Sequence, residues 1–328
     1  MKKIKNSVWL LLICSIVLVL TACSGKASEN DKVIIYSNAD EEAITAMEQA
    51  LKDEGLSGKY IIQSMGTSEL GGKMIAEGNK IEADVVTMAS YFIDSAQKKN
   101  NMFTDIKGSK EAIDSQPSYA LPILGNMGAI FVNTEVLKQK KLDTPTSIVD
   151  LTKPEYKDLV SIPNIMDSST GWLLIQAILH QYGEEKGKEV LHNLLANVGP
   201  HLESSGSGPI KKVQTGEVAV GFGLRAQAVN AKVEGQPIQY IDPTEGNFSL
   251  TESVAVVNKG GDKQKLAMKI AKVIADKARP ALLKQYPVAL YKGETVAKEH
   301  EPKHATKWET PLTVDLLEQH QAFFKSAQ

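Results

Sequence analysis

The sequence predicts an α/β protein built on mostly parallel sheet flanked by helices, and three observations carry that expectation. From residue 33 onward, short β-branched runs alternate with amphipathic stretches of helical spacing, the signature of β-α-β units. The chain has 328 residues, 42% hydrophobic and 23% charged, which suits one large α/β domain or two domains with sizeable cores and does not suit a disordered chain. A second β/α series follows Pro122, and no repeat of 20–50 residues is evident, which disfavours solenoids and propellers.

The amino terminus comes first. Lys2, Lys3 and Lys5 precede an apolar run over residues 8–20, short of the roughly 20 residues a spanning helix needs. It ends in Leu20-Thr21-Ala22-Cys23, which resembles a bacterial lipobox. Residues 1–22 therefore read as a signal peptide, with Cys23 as the lipidated first residue of an exported, membrane-anchored protein. Cleavage would leave 306 residues and, with three lysines gone, take the net charge from −2 to −5. Residues 23–32 are small, polar and charged and read as a tether.

In the body, residues 33–36 predict a buried strand and residues 41–54 a helix, with acidic residues in its first turn. Strands at 60–62 and 83–88 alternate with helices at 69–77 and 91–99. After Pro122, residues 128–132 read as a strand crossing away and 133–139 as a short helix. A capped helix start is expected at 145–151, a strand at 159–162, helices at 172–182 and 187–198, and a strand at 217–222. Residues 253–257 and 262–277 then read as a strand and helix returning to the first unit.

Composition removes several function classes. Lys plus Arg number 37 against 39 for Asp plus Glu, so there is no basic excess for a nucleic-acid partner. Both cysteines, Cys14 and Cys23, lie in the first 23 residues, leaving no thiol for disulfides, metal or catalysis in the body. His300-Glu301-Pro302-Lys303-His304 matches a zinc-binding pattern in letters, but Pro302 breaks the helix that pattern requires. Residues 66–70 miss the nucleophile elbow by their last residue, and Gly221-Phe222-Gly223 with Ala226 is only a fragment of a dinucleotide fingerprint. No catalytic residue, cofactor or metal site is expected.

The strand-to-helix turns carry the functional signal. Ser37-Asn38, Gly66-Thr67-Ser68, Ser168-Ser169-Thr170-Gly171 and Ser204-Ser205-Gly206-Ser207-Gly208 are rich in hydroxyls and glycine. In open α/β sheets a ligand lies beyond the carboxyl ends of the strands, at helix N-termini, where hydroxyls and backbone N–H groups can hold an oxyanion. Each turn alone is also what any helix cap looks like. Arg225, directly after a strand, offers a guanidinium fork for a phosphoryl group or, equally, a surface ion pair. Glu245, Glu252 or Asp40 could pair with an amine on the solute.

Several stretches together resemble the periplasmic-binding-protein superfamily, in particular the solute-binding lipoproteins of ABC importers in the ferric and phosphorylated-solute group. They are residues 33–40, 75–78 with 83–86, 151–163, 167–171, 216–223 and 241–246. The resemblance implies two lobes around one ligand cleft, joined by two crossing strands, with lobe 1 at residues 33–124 and 250–328 and lobe 2 at 125–249. It implies a small anionic solute, phosphorylated or phosphonate, delivered to an ABC permease and its ATPase. The expected ligand-binding set is Ser37, Asn38, Thr67, Ser68, Ser168, Ser169, Thr170, Ser207, Arg225 and Glu245. Ferric-binding members carry adjacent tyrosines after the strand at 217–222, where this chain reads Leu224-Arg225-Ala226-Gln227-Ala228. Ferric iron and a ligand sensor for a membrane kinase stay as alternatives, and a surface hydrolase is the remaining class.

Overall fold

Strands β1 (Val33–Ser37), β2 (Tyr60–Ser64) and β3 (Val85–Ala89) pair in parallel in the order β2-β1-β3. The protein is described by a computed structural model that covers residues 32–328. The expected signal peptide, Cys23 and all of the expected tether but Lys32 lie outside the described residues. Three helices accompany these strands: α1 (Glu41–Asp53), α2 (Thr67–Glu77) and α3 (Ser90–Asn100). The local causes are plain in α1. The Asp40 carboxylate accepts from Ala43 N, Glu41 and Glu42 sit in the positive first turn, and Ala43, Ala46, Met47, Ala50 and Leu51 form its buried face.

The chain then enters β4 (Ala120–Asn133), followed by α4 (Thr134–Lys140), β5 (Val160–Pro163), α5 (Ser169–Val198), β6 (Leu202–Glu203) and α6 (Gly208–Gln214). Next come β7 (Val220–Leu224), α7 (Arg225–Val233), β8 (Ile238–Ile241) and β9 (Asn247–Val256). The last elements are α8 (Gly261–Asp276), α9 (Arg279–Gln285), β10 (Ala305–Thr306) and α10 (Val314–Ala327). Strand order is β2-β1-β3-β9-β4-β7-β5-β6, with β10 beside β9 and β8 beside β4.

Two long strands carry the sheet from one half to the other. The first half of β4 runs antiparallel to β9, from Ala120 opposite Ala255 to Met127 opposite Ser249. Its second half runs antiparallel to β7 and β8. β9 also pairs antiparallel with β3, so it joins the parallel β2-β1-β3 group to β4. In the other half β5 is parallel to both β7 and β6. The result is the expected α/β architecture of mostly parallel sheet flanked by helices, with the two crossing segments contributed by β4 and β9.

Several elements differ from the sequence reading. β4 spans 14 residues where only 128–132 were expected, because Pro122, Gly125, Asn126 and Gly128 interrupt its apolar run; the register shifts between Pro122 and Leu124. The expected helix at 145–151 is a 3-10 turn at Val149–Thr152, fixed by the Asp150 carboxylate accepting from Thr146 N and Ser147 N. α5 contains both expected helices, separated at Gly183, whose φ of 67° and ψ of −172° interrupt the helix. Gly221 and Gly223 of the partial fingerprint lie within β7, where a Cβ at either would press on the Phe131 ring. At the zinc-like pattern only Lys298–His300 form a 3-10 turn, so His300 and His304 do not share a helix.

Candidate functional site

The four hydroxyl-rich turns meet around one cavity of about 360 Å³. Asn38, Ala39 and Asp40 follow β1; Ser64 ends β2, and Met65, Gly66, Thr67 and Glu69 follow it. Asp167, Ser168, Ser169 and Thr170 follow β5, and Ser204, Ser205, Gly206 and Ser207 follow β6. β4 and β9 add Leu124, Asn126 and Glu252, while Leu224 and Tyr286 complete the wall. The volume lies near the small end of the usual 300–1,000 Å³ for ligand sites, which suits a solute of few heavy atoms.

Helix ends explain what this wall offers. The N-caps of α1, α2, α5 and α6, namely Asp40, Gly66, Ser168 and Ser207, all border the cavity. Gly66 has no side chain with which to cap α2, and Ser207 makes no side-chain cap to α6. Ser168 does cap its helix, accepting from Thr170 N at 3.3 Å. Gly171 lets α5 begin against the preceding loop, since a Cβ there would fall 2.7 Å from Pro163 O.

Of the expected ligand residues, Asn38, Thr67, Ser168, Ser169, Thr170 and Ser207 come together on this wall. Ser68 is adjacent, but its hydroxyl donates to the Met166 carbonyl at 2.6 Å. Ser37 is fully buried and away from the wall, accepting from Ala39 N at 3.1 Å and from the Thr87 hydroxyl at 2.7 Å.

Two charged candidates lie elsewhere, each for a clear reason. Arg225 is 3% exposed, and its guanidinium donates to both Asp242 oxygens, at 2.7 and 3.2 Å, and to the carbonyls of His300 and Glu301. It also lies 4.5 Å from the Tyr240 ring centre. Burial works against the Asp242 charge, but Arg225 and the Lys303 N–H outweigh it and hold that carboxyl below its ordinary range. Arg225 thus ties α7 to the segment before β10. Glu245 is 2% exposed and accepts from Ile148 N, Val149 N and the Tyr182 hydroxyl, so it caps the 3-10 turn and does not line this cavity.

The wall carries Asp40, Glu69, Asp167 and Glu252 but no lysine, arginine or histidine. Glu69 and Asp167 are exposed, whereas Glu252 is 2% exposed. Burial, reinforced by Asp40, pushes the Glu252 carboxyl up to about 8, although the Asn38 and Asn126 amides pull the other way. Burial also raises Asp40, against the Tyr286 hydroxyl and Ala43 N–H that both donate to it. Asn126 and Tyr286 were not singled out in sequence, and Gly206 was named only as part of the fourth turn. Glycine in the fourth turn was a visible cue, whereas Tyr286 reaches Asp40 from 246 positions away and left no local signal.

Among the described residues, no group of three His, Cys, Asp or Glu side chains is placed to hold a metal, and no helix is long and apolar enough to cross a membrane. The fold is that of two-lobed periplasmic binding proteins. It is similar to a periplasmic thiamin-binding protein (TM-score 0.73, 17% identity, 90% of this chain and 95% of that one). It is also similar to AfuA of Actinobacillus pleuropneumoniae with fructose-6-phosphate bound (TM-score 0.67, 20% identity, 90% and 93% covered). In sequence it is similar to a spermidine/putrescine-binding periplasmic protein of Salmonella typhimurium, 24% identical over 75% of this chain and 74% of that protein. The family model for bacterial extracellular solute-binding proteins matches residues 80–312, and the chain belongs to that family of binding proteins, which are not enzymes.

Proposed function

We propose that this protein is the solute-binding component of an ABC importer, anchored to the outer face of a membrane through Cys23. In this reading it captures a small phosphorylated or phosphonate solute and presents it to the permease and its ATPase. The observation that carries the oxyanion is the convergence of the α2 and α5 N-termini, with their hydroxyl-rich first turns, on one small cavity. Helix N-termini and neutral hydroxyls hold a desolvated oxyanion without a fixed positive charge. Thr67, Ser168, Ser169, Thr170 and Ser207 are the proposed contacts, and Asn38 sits between them and Glu252.

A second reading is a polyamine solute. It is favoured by the carboxylates on a wall without a cationic side chain, and a related protein is named for spermidine and putrescine. Thermal-shift and calorimetric titration with phosphate esters, alkylphosphonates, putrescine and ferric citrate separates these readings, since a bound ligand raises the melting temperature. Binding of a phosphate ester or phosphonate that weakens at least tenfold in Ser169→Ala/Thr67→Ala is the expected result. Binding confined to polyamines or to iron would overturn the oxyanion reading.

A further inference from the structure

We propose that the solute of this cleft carries a primary ammonium group, seated on Glu252, Asn38 and Asn126 where β4, β9 and the turn after β1 line the cavity. This deepens the function proposed above and rests on it for the solute's other end.

The hydrogen bonds around Glu252 leave an unusual remainder. Asn126 Nδ2 donates to Glu252 Oε1 at 3.0 Å, and Asn38 Nδ2 donates to the same oxygen at 3.5 Å and to Thr67 Oγ1 at 3.0 Å. Asn38 thus spends both of its amide N–H groups and Asn126 one, and with Glu252 ionised three acceptor oxygens are left buried without partners: Asn38 Oδ1, Asn126 Oδ1 and Glu252 Oε2. Turning either amide over would bring its oxygen against Glu252 Oε1, two acceptors face to face once the carboxyl is ionised. Buried acceptors without donors are costly, and here all three belong to residues on one cavity wall.

The missing partner is a donor-only group. A primary ammonium brings three N–H donors and no acceptor, and its charge answers a carboxyl for which the wall supplies no cation. A hydroxyl has one donor, and a quaternary ammonium has none. The three oxygens are sealed from solvent in this conformation, so the ammonium reaches them only once the cleft opens.

Protons follow from the same contact. The titratable groups bearing on Glu252 are Asp40 from the turn before α1, Tyr91 from α3 and Tyr286 beyond α9, none of them positive. Burial keeps both phenols protonated, and the Glu252 carboxyl, up at about 8, holds its proton in the empty protein near pH 7. An arriving ammonium favours the ionised carboxylate, so binding at pH 7 releases a proton.

The test compares 2-aminoethylphosphonate, ethylphosphonate and putrescine by calorimetry on the wild-type protein and Glu252→Gln, in two buffers of different ionisation enthalpy. The expected result is that the aminophosphonate binds at least tenfold tighter than ethylphosphonate. That preference should collapse in Glu252→Gln, and the wild-type heat should report proton release. Equal binding of the two phosphonates, or an aminophosphonate preference without proton release, overturns the ammonium seat and leaves the oxyanion reading standing. Putrescine binding with proton release, without either phosphonate, keeps the seat and overturns the oxyanion reading. No binding of any of the three overturns the ammonium seat. The buffer comparison needs only the wild-type chain, so it decides even if Glu252→Gln folds poorly.

Discussion

The Ser68 hydroxyl at the start of α2 donates to the Met166 carbonyl at 2.6 Å, joining the turn after β2 to the loop after β5. A second link, Gln227 Nε2 to Asp40 Oδ2 at 3.4 Å, ties α7 to the cap of α1. Both join segments expected on different lobes, beside apolar packing that puts Leu224 and Ala226 in one cluster with Leu124 and Tyr286.

Ser68→Ala should therefore shift the unliganded protein toward an open form. A net hydrogen bond of about 1 kcal/mol corresponds to about a fivefold change in that equilibrium. Small-angle scattering should show a larger radius of gyration without ligand, and solute affinity should fall by a similar factor. An unchanged radius and affinity would show that this bond does not govern closure.

Gly206→Ala should weaken solute binding more than it weakens the fold. A Cβ at Gly206 would press on the Thr170 hydroxyl and lie 3.0 Å from Thr170 Cβ and 3.2 Å from Ser168 Oγ. Overpacking of this kind costs about 1–3 kcal/mol, here at the wall of the proposed solute site. Titration calorimetry should record a loss of about tenfold or more, with the melting temperature within a few degrees of wild type.

Arg225→Ala should do the opposite. It strands Asp242, whose side chain is almost fully buried, and removing one partner of such a pair costs about 3–5 kcal/mol. For a chain of this size the melting temperature should drop on the order of 10 °C. Solute affinity measured well below that transition should stay within about twofold, and a selective loss of affinity would return Arg225 to the binding site.

Stability should also fall as pH rises. Glu252 titrates at about 8 in the fold, against 4.5 when free, so the folded state holds its proton more tightly than the unfolded state does. That contribution is fully present below about 4.5 and is lost progressively as pH rises toward 8. Glu252→Gln should match wild type near pH 5 and melt higher near pH 9, by on the order of 10 °C. Parallel melting curves of the two proteins across that range would contradict this assignment of the titration.

Much of the fold was legible because it is local. Residues 33–100 alternate strand and helix with caps such as Asp40 in plain sight, and the turns that line the cavity were visible as hydroxyl-rich strings. What escaped depends on contacts between distant residues. Nothing near Arg225 announces that Asp242, His300 and Glu301 will consume its donors, and nothing near Glu245 shows that it caps residues 148–149. The first half of β4 escaped because Pro122 and Gly125 read as breaks in sequence, and only the pairing with β9 makes that stretch a strand.

The pairing of β3 with β9 has a temporal side. Val85 lies opposite Val256, so a chain emerging from its amino terminus exposes the flank of β3 until some 170 further residues have followed. Loop closure over that separation is entropically slow, and the first half-sheet cannot be completed before the second has been made. The protein should thus fold late and as a unit, remaining an unfolded thread for most of its own synthesis.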